Sequence, residues 1–319
     1  MKIFCLFFFY FLFFSFPTKS QSRMDAGLNA AEWNGFNLDS IRSTLDGKIQ
    51  RFYFYKSSKK NMPLVVSLHQ WSADYSTYKN SLAPQAKVKD WNFIHPDFRG
   101  PNNNPKACGS NYVISDIDEA IDWAIKNLEA DPKCIYIVGA SGGGYAALCH
   151  FMKSSRKVKE YSVWVPITDL GRWYFESKVR GSKYANDVIS CTCNTCVAPN
   201  FDESKKRSPM YQKTPLGKLK DCKLKIYAGI HDGYTGAVPI VHSVLFYNKI
   251  IGALGGEESE KVPLDDLCWM LTTQNSLNEV TGKLGDRDIL YYKAYQNVSV
   301  TIFEGTHEIL IDEVLPVLF

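Results

Sequence analysis

The sequence predicts an α/β fold in which a mostly parallel central sheet is flanked by helices. Three observations predict it. Short apolar runs alternate with helical patterns along most of the chain. One run, residues 134–138, leads into Gly139-Ala140-Ser141-Gly142-Gly143 and then into a helical stretch at 145–150. Strand, G-x-S-x-G, helix is the context that holds a serine on a sharp, strained turn. Asp232 and His307 each follow a later strand, in the chain order serine, acid, histidine.

The elements follow in order. Lys2, an apolar run over 3–16 and Pro17-Thr18-Lys19-Ser20 make a secretory signal, so residues 1–20 are expected to be removed and 21–319 to form one domain. The run is shorter than the roughly 20 residues a spanning helix takes, so no stable membrane insertion is expected once the signal is cleaved. The protein is then secreted or periplasmic. Residues 36–45 and 48–55 flank Asp46-Gly47, a hairpin signal. Residues 64–69 and 91–95 read as buried strands. A helix is expected over 115–128, with Ile117, Ile121, Ala124, Ile125 and Leu128 on one face and Ser115-x-x-Asp118 as a capping box. The strand at 161–166 follows the helix behind Ser141. Residues 167–215 then break the alternation, and an insertion there caps the site. Residues 224–228 are a strand, and 239–254 a helix with Pro239 in its first turn. A second polar insertion fills 255–288. The half-buried strand 298–303 and a terminal helix over 309–318 complete the chain.

Composition excludes more than it assigns. With 37 Lys and Arg against 33 Asp and Glu the formal net charge is +4, and no basic block points to nucleic acid. Eight cysteines lie beyond the apolar leader, an even number that favours disulfides after export. Cys191, Cys193 and Cys196 have a spacing that a metal site also uses. No histidine lies nearby, and a loop tied by disulfides is the preferred reading. Cys134 and Cys149 read as small core residues.

Serine is a poor nucleophile at its ordinary pKa. His307 is placed to take its proton, and Asp232 to orient the imidazole. Asp169 is an alternative acid, as are Asp286 and Asp288 in the second insertion. The N–H of Gly142, next after the serine, is the first candidate donor to an oxyanion. Of the other histidines, His150 and His242 fall within helices, His95 ends a strand, and His231 sits beside the acid. Arg99 follows an early strand and either binds a carboxylate or sugar hydroxyl of the substrate or makes a structural salt bridge. Trp173 and Tyr174 either stack on a sugar ring or hold the cap down.

With these residues the chain resembles the serine α/β-hydrolases, in their prolyl-oligopeptidase-like and esterase-D-like branches. Gly229-x-x-Asp232 resembles their G-x-x-D acid loop, and Val238-Pro239 with Ser243 the V-P-x-x-x-S after it. Gly233–Ala237 makes the intervening loop longer than usual. Leu68-His69-Gln70-Trp71 resembles the family's H-G-x, with Gln70 in place of glycine, and the match implies that Trp71 supplies the second oxyanion N–H. A further similarity, to secreted bacterial carbohydrate esterases, implies an exported serine esterase acting on an acetyl, methyl or feruloyl ester of a polysaccharide or oligosaccharide. A prolyl-oligopeptidase-like serine peptidase is the alternative, and a binding module lacking catalysis a second. The resemblance implies no cofactor, no metal and no nucleic-acid partner.

Overall fold

The computed structural model describes residues 31–193, 195–277 and 282–315. The expected signal at 1–20 lies outside them.

Among the described residues ten strands form one sheet in the order β1-β2-β4-β3-β5-β6-β7-β10-β9-β8. The strands are β1 (Asn37–Arg42), β2 (Ile49–Tyr55), β3 (Leu64–Leu68), β4 (Asn92–Pro96), β5 (Ile135–Ala140), β6 (Glu160–Trp164), β7 (Lys223–Gly229), β8 (Lys283–Leu284), β9 (Arg287–Tyr295) and β10 (Val298–Phe303). From β4 through β3, β5, β6 and β7 to β10 every pairing is parallel. The hairpin β1–β2 and the pair β9–β8 extend the two edges antiparallel.

Side chains alternate across the central strands, as a sheet covered on both faces requires. Leu64, Val66, Ile135, Ile137, Leu224, Ile226, Val298 and Val300 enter one core cluster. Val65, Tyr136, Val138 and Tyr227, their neighbours in sequence, enter the other. The first cluster is closed by α2 (Asn111–Leu128), α3 (Gly142–Lys153) and α7 (Val241–Ala253). The second is closed by α1 (Ala83–Val88), Trp33 and α9 (Ile311–Val314).

The helix α2 begins before the expected capping box. Ser110, not Ser115, caps it, accepting from Val113 N, while Ser115 Oγ donates to Glu119 within the helix. The sequence reading missed α8 (Leu264–Thr273) in the polar stretch 255–288, and β8 and β9 as well, whose outer position leaves only part of their surface apolar. The expected cap is helical: α4 (Leu170–Val179), α5 (Tyr184–Thr192) and α6 (Phe201–Arg207). Cys108–Cys191 ties α5 to the loop after β4, and Cys193–Cys196 closes a short loop beyond α5. Among the described residues no helix is long and apolar enough to cross a membrane.

Candidate active site

Parallel strands point their C-terminal ends the same way, so β5, β7 and β10 bring the loops after them to one edge of the sheet. Ser141 directly follows β5 and stands at the N-cap position of α3, with φ 56° and ψ −118°. A side chain in that region costs about 1–3 kcal/mol and persists only where its surroundings impose it. Here they do. Ser141 N donates to Trp164 O on β6 at 2.9 Å, and Tyr145 N to Ser141 O at 2.8 Å. A Cβ on Gly142 would stand 2.3 Å from Trp71 N and Cα, so only glycine lets the loop after β3 lie this close to the turn. The backbones of Gly142 and Trp71, the two predicted oxyanion donors, therefore touch.

The acid and base meet across β7 and β10. His307 Nδ1 lies 2.7 Å from Asp232 Oδ2, and Val238 N donates to Asp232 Oδ1 at 3.0 Å. Asp232 is buried, so its two oxygens are fixed by partners rather than by water. A Cβ on Gly236 would come 2.3 Å from Asp232 Oδ1 and 2.5 Å from His307 Cβ. The extra residues between acid and Val-Pro thus fold over the pair and seal it. Gly236 escaped the sequence reading because nothing local marks it.

The other candidate acids are engaged elsewhere. Asp169 caps α4 by accepting from Gly171 N and Arg172 N, and it also takes the Tyr211 hydroxyl at 2.7 Å. Asp288 pairs with Lys283 at 2.6 Å, and Asp286 stays exposed. The remaining histidines have partners or burial of their own. His150 sits between Tyr161 and Asp118, and His242 between Thr168 and Glu176. His231 is held by Gln274 and Glu304, and the Gln274 oxygen on its ring raises its pKa.

Three expected substrate contacts are corrected. The Arg99 side chain has no exposed surface; its guanidinium donates to Asp116 at 2.5 and 3.0 Å, to Asp46 at 2.8 Å and to Ser43 at 2.7 Å. A cation so enclosed locks the β1–β2 hairpin to α2 and has no free face for a ligand. Trp173 and Tyr174 are 1% and 3% exposed and present no flat face to a sugar. Trp173 Nε1 donates to Ala237 O in the acid loop at 2.9 Å, and its ring meets Trp71 edge-on at 4.6 Å. Tyr174 packs on Phe175 and Phe201 inside the cap. Trp173 is therefore a strut between the acid loop and the Trp71 loop.

A sequence model of the prolyl oligopeptidase family matches residues 106–260, which hold Ser141 and Asp232 but not His307. No curated protein matches the sequence at significance. Among solved structures, the acylaminoacyl peptidase of Pyrococcus horikoshii superposes with a TM-score of 0.54 at 18% identity, covering 73% of this chain and 37% of that one. A puromycin-hydrolysing peptidase of Mycobacterium tuberculosis gives 0.56 at 14% identity, over 89% of this chain and 37% of the other. Prolyl oligopeptidase B of Galerina marginata gives 0.54 at 16%, over 68% and 31%. The chain thus spans about a third of the length of these structures. The family matched and the structures resembled are those of peptidases, which overturns the polysaccharide-ester reading and favours the peptidase alternative. The chain carries the α/β-hydrolase fold, and its stretch 106–260 matches the prolyl oligopeptidase family.

Proposed function

We propose that this protein is a serine peptidase of the prolyl-oligopeptidase type, exported by its N-terminal signal. The observation that carries the reading is the coincidence, at one sheet edge, of a serine on a strained strand-to-helix turn with His307 held at 2.7 Å by the buried Asp232. The family match over 106–260 favours a peptide bond as the substrate.

In this reading Ser141 Oγ attacks the carbonyl carbon while His307 Nε2 takes its proton. Asp232 holds the imidazole by its Nδ1–H and stabilises the imidazolium. The negative oxygen of the tetrahedral intermediate accepts from the N–H groups of Gly142 and Trp71, each worth about 10²–10³ in rate where such donors have been removed. The C–N bond breaks, and the leaving amine takes the proton from His307. Water, deprotonated by the same histidine, then cleaves the acyl-enzyme and restores Ser141.

Peptide p-nitroanilides set beside p-nitrophenyl acetate test it. The wild-type protein is expected to hydrolyse at least one anilide, and Ser141→Ala and His307→Ala to lose several orders of magnitude in kcat. An enzyme that turns over esters but no amide would refute the peptidase assignment. A Ser141→Ala protein retaining more than about a tenth of the rate would refute the nucleophile.

A further inference from the structure

One charged group beside this site has no role in the chemistry above. Asp187 lies on α5, and its Oδ2 accepts from Trp71 Nε1 at 3.0 Å. Trp71 is the residue whose backbone rests on Gly142, so Asp187 stands one tryptophan side chain from the Ser141 turn. Helical spacing puts Tyr184, Asp187, Val188 and Cys191 on one face of α5. That face is held down firmly. Val188 and Cys191 are buried, Cys191 is bonded to Cys108, and Tyr184 stacks on Trp173 with ring centroids 5.0 Å apart.

The carboxylate itself is only partly buried. Burial raises its pKa, while the Trp71 indole acts the other way. Among the described residues no cation comes within ion-pair distance of it. Lys183, one turn earlier, acts on it only at longer range, and its ammonium lies over the Tyr184 ring at 5.8 Å. A carboxylate drawn partly out of water, with one oxygen on a neutral donor and no counter-ion, gains most from a cation delivered to it.

We propose that Asp187 recognises a cationic group of the substrate, an ammonium or guanidinium carried close to the scissile bond. The proposal rests on the serine-hydrolase reading of the site and names the substrate class it prefers. Two sources supply that chemistry in a peptide: a basic side chain and a free amino terminus.

The test uses matched pairs. N-acetyl-lysine and N-acetyl-norleucine p-nitroanilides differ by the side-chain charge; leucine and N-acetyl-leucine p-nitroanilides differ by the terminal one. In one of the two pairs the wild-type kcat/KM is expected to favour the cation by about tenfold. Asp187→Asn keeps an acceptor for Trp71 Nε1 and removes the charge, so the ratio should fall to near one. A structural role for Asp187 would lower both members of a pair together and leave the ratio alone. The same pairs as p-nitrophenyl esters separate the two readings: charge preference on esters with no amide turnover would retire the peptidase assignment and keep Asp187. Calorimetric binding of N-acetyl-lysinamide and leucinamide, each against its neutral partner, reads the site independently of turnover. Ratios of one in the wild type for both pairs, or a ratio that survives in Asp187→Asn, overturn the proposal.

Discussion

Ser141 occupies a backbone region that costs free energy, and its neighbours hold it there through contacts that a single methyl group would break. The same holds at Gly236, where the loop after the acid presses on Asp232 and His307 at less than van der Waals distance from any added Cβ. Gly236 is in neither a tight turn of positive φ nor a helix, so close approach alone explains it. Gly236→Ala is accordingly expected to push the loop off the acid–base pair. The expected result is a fall in kcat of at least about tenfold, with a smaller effect on melting temperature, because a Cβ at Gly236 would meet Asp232 and His307 and not the core. Steady-state kinetics beside a thermal melt check it; unchanged kcat would mean the loop yields without disturbing Asp232 or His307. At this scale the sequence was a good guide where a residue's role depends on its place after a strand, as for Ser141, Asp232 and His307. It misled where a role depends on what the side chain meets. Arg99 and Trp173 were credible ligand contacts by type and position, and both turned out to be enclosed by partners from other elements, Asp46 and Asp116 around the first and Ala237 beside the second.

At the scale of elements the cap is best understood by its attachments. Helix α4 meets the acid loop through Trp173 Nε1 and Arg180 Nη1, both donating to Ala237 O at 2.9 and 3.3 Å. Helix α5 meets the Trp71 loop through Asp187 and the loop after β4 through Cys191. Helix α6 reaches that last loop as well, since Arg207 Nη1 donates to Pro105 O and Ala107 O. The cap therefore braces three of the loops that shape the site. The central strands were legible because a two-sided sheet writes continuous or alternating apolar runs. The cap helices were not, because they are short, carry lysine and serine outward, and bury their apolar face against loops that no periodicity announces. The two disulfides give a contrast between elements. Cys108–Cys191 closes 83 residues, whereas Cys193–Cys196 closes 3. Loop entropy makes the first worth about 4.5 kcal/mol and the second about 2 kcal/mol or less. Replacing Cys108 and Cys191 together by serine should lower the melting temperature by several degrees and reduce activity, because α5 loses its hold beside Trp71. Replacing Cys193 and Cys196 should change both far less. Equal effects in the two double variants would mean that the short loop, and not the long tie, holds the cap.

The molecule as a whole carries an acid-sensitive core. His95 lies on β4 between the sheet and Trp33, and neither of its ring nitrogens finds a hydrogen bond of good geometry. Burial, with the neighbouring His69 adding to it, pushes its pKa from 6.5 down to about 3; the carbonyls of Ser67 and Asp74 pull weakly the other way. The unfolded chain therefore binds a proton between pH 6.5 and about pH 3 that the folded chain refuses. Stability contributed by this site is complete above 6.5 and is lost as pH falls through that window. Burial of His150 works in the same direction, while the buried carboxyls of Asp97 and Asp116, with raised pKa values, work against it. The slope of the wild type alone is thus a sum and identifies no residue, so the prediction is a difference. His95→Phe fills the same aromatic niche and has no nitrogens to leave unpaired, so it should fold. Its stability relative to wild type should rise on acidification, by up to about 1.4 kcal/mol per pH unit within the window. Urea unfolding of both proteins at about pH 7 and about pH 5 measures the difference. If the two proteins lose stability in parallel between those values, His95 is protonated in the folded state at a pH near its ordinary value, and the acid sensitivity of the fold belongs to other groups.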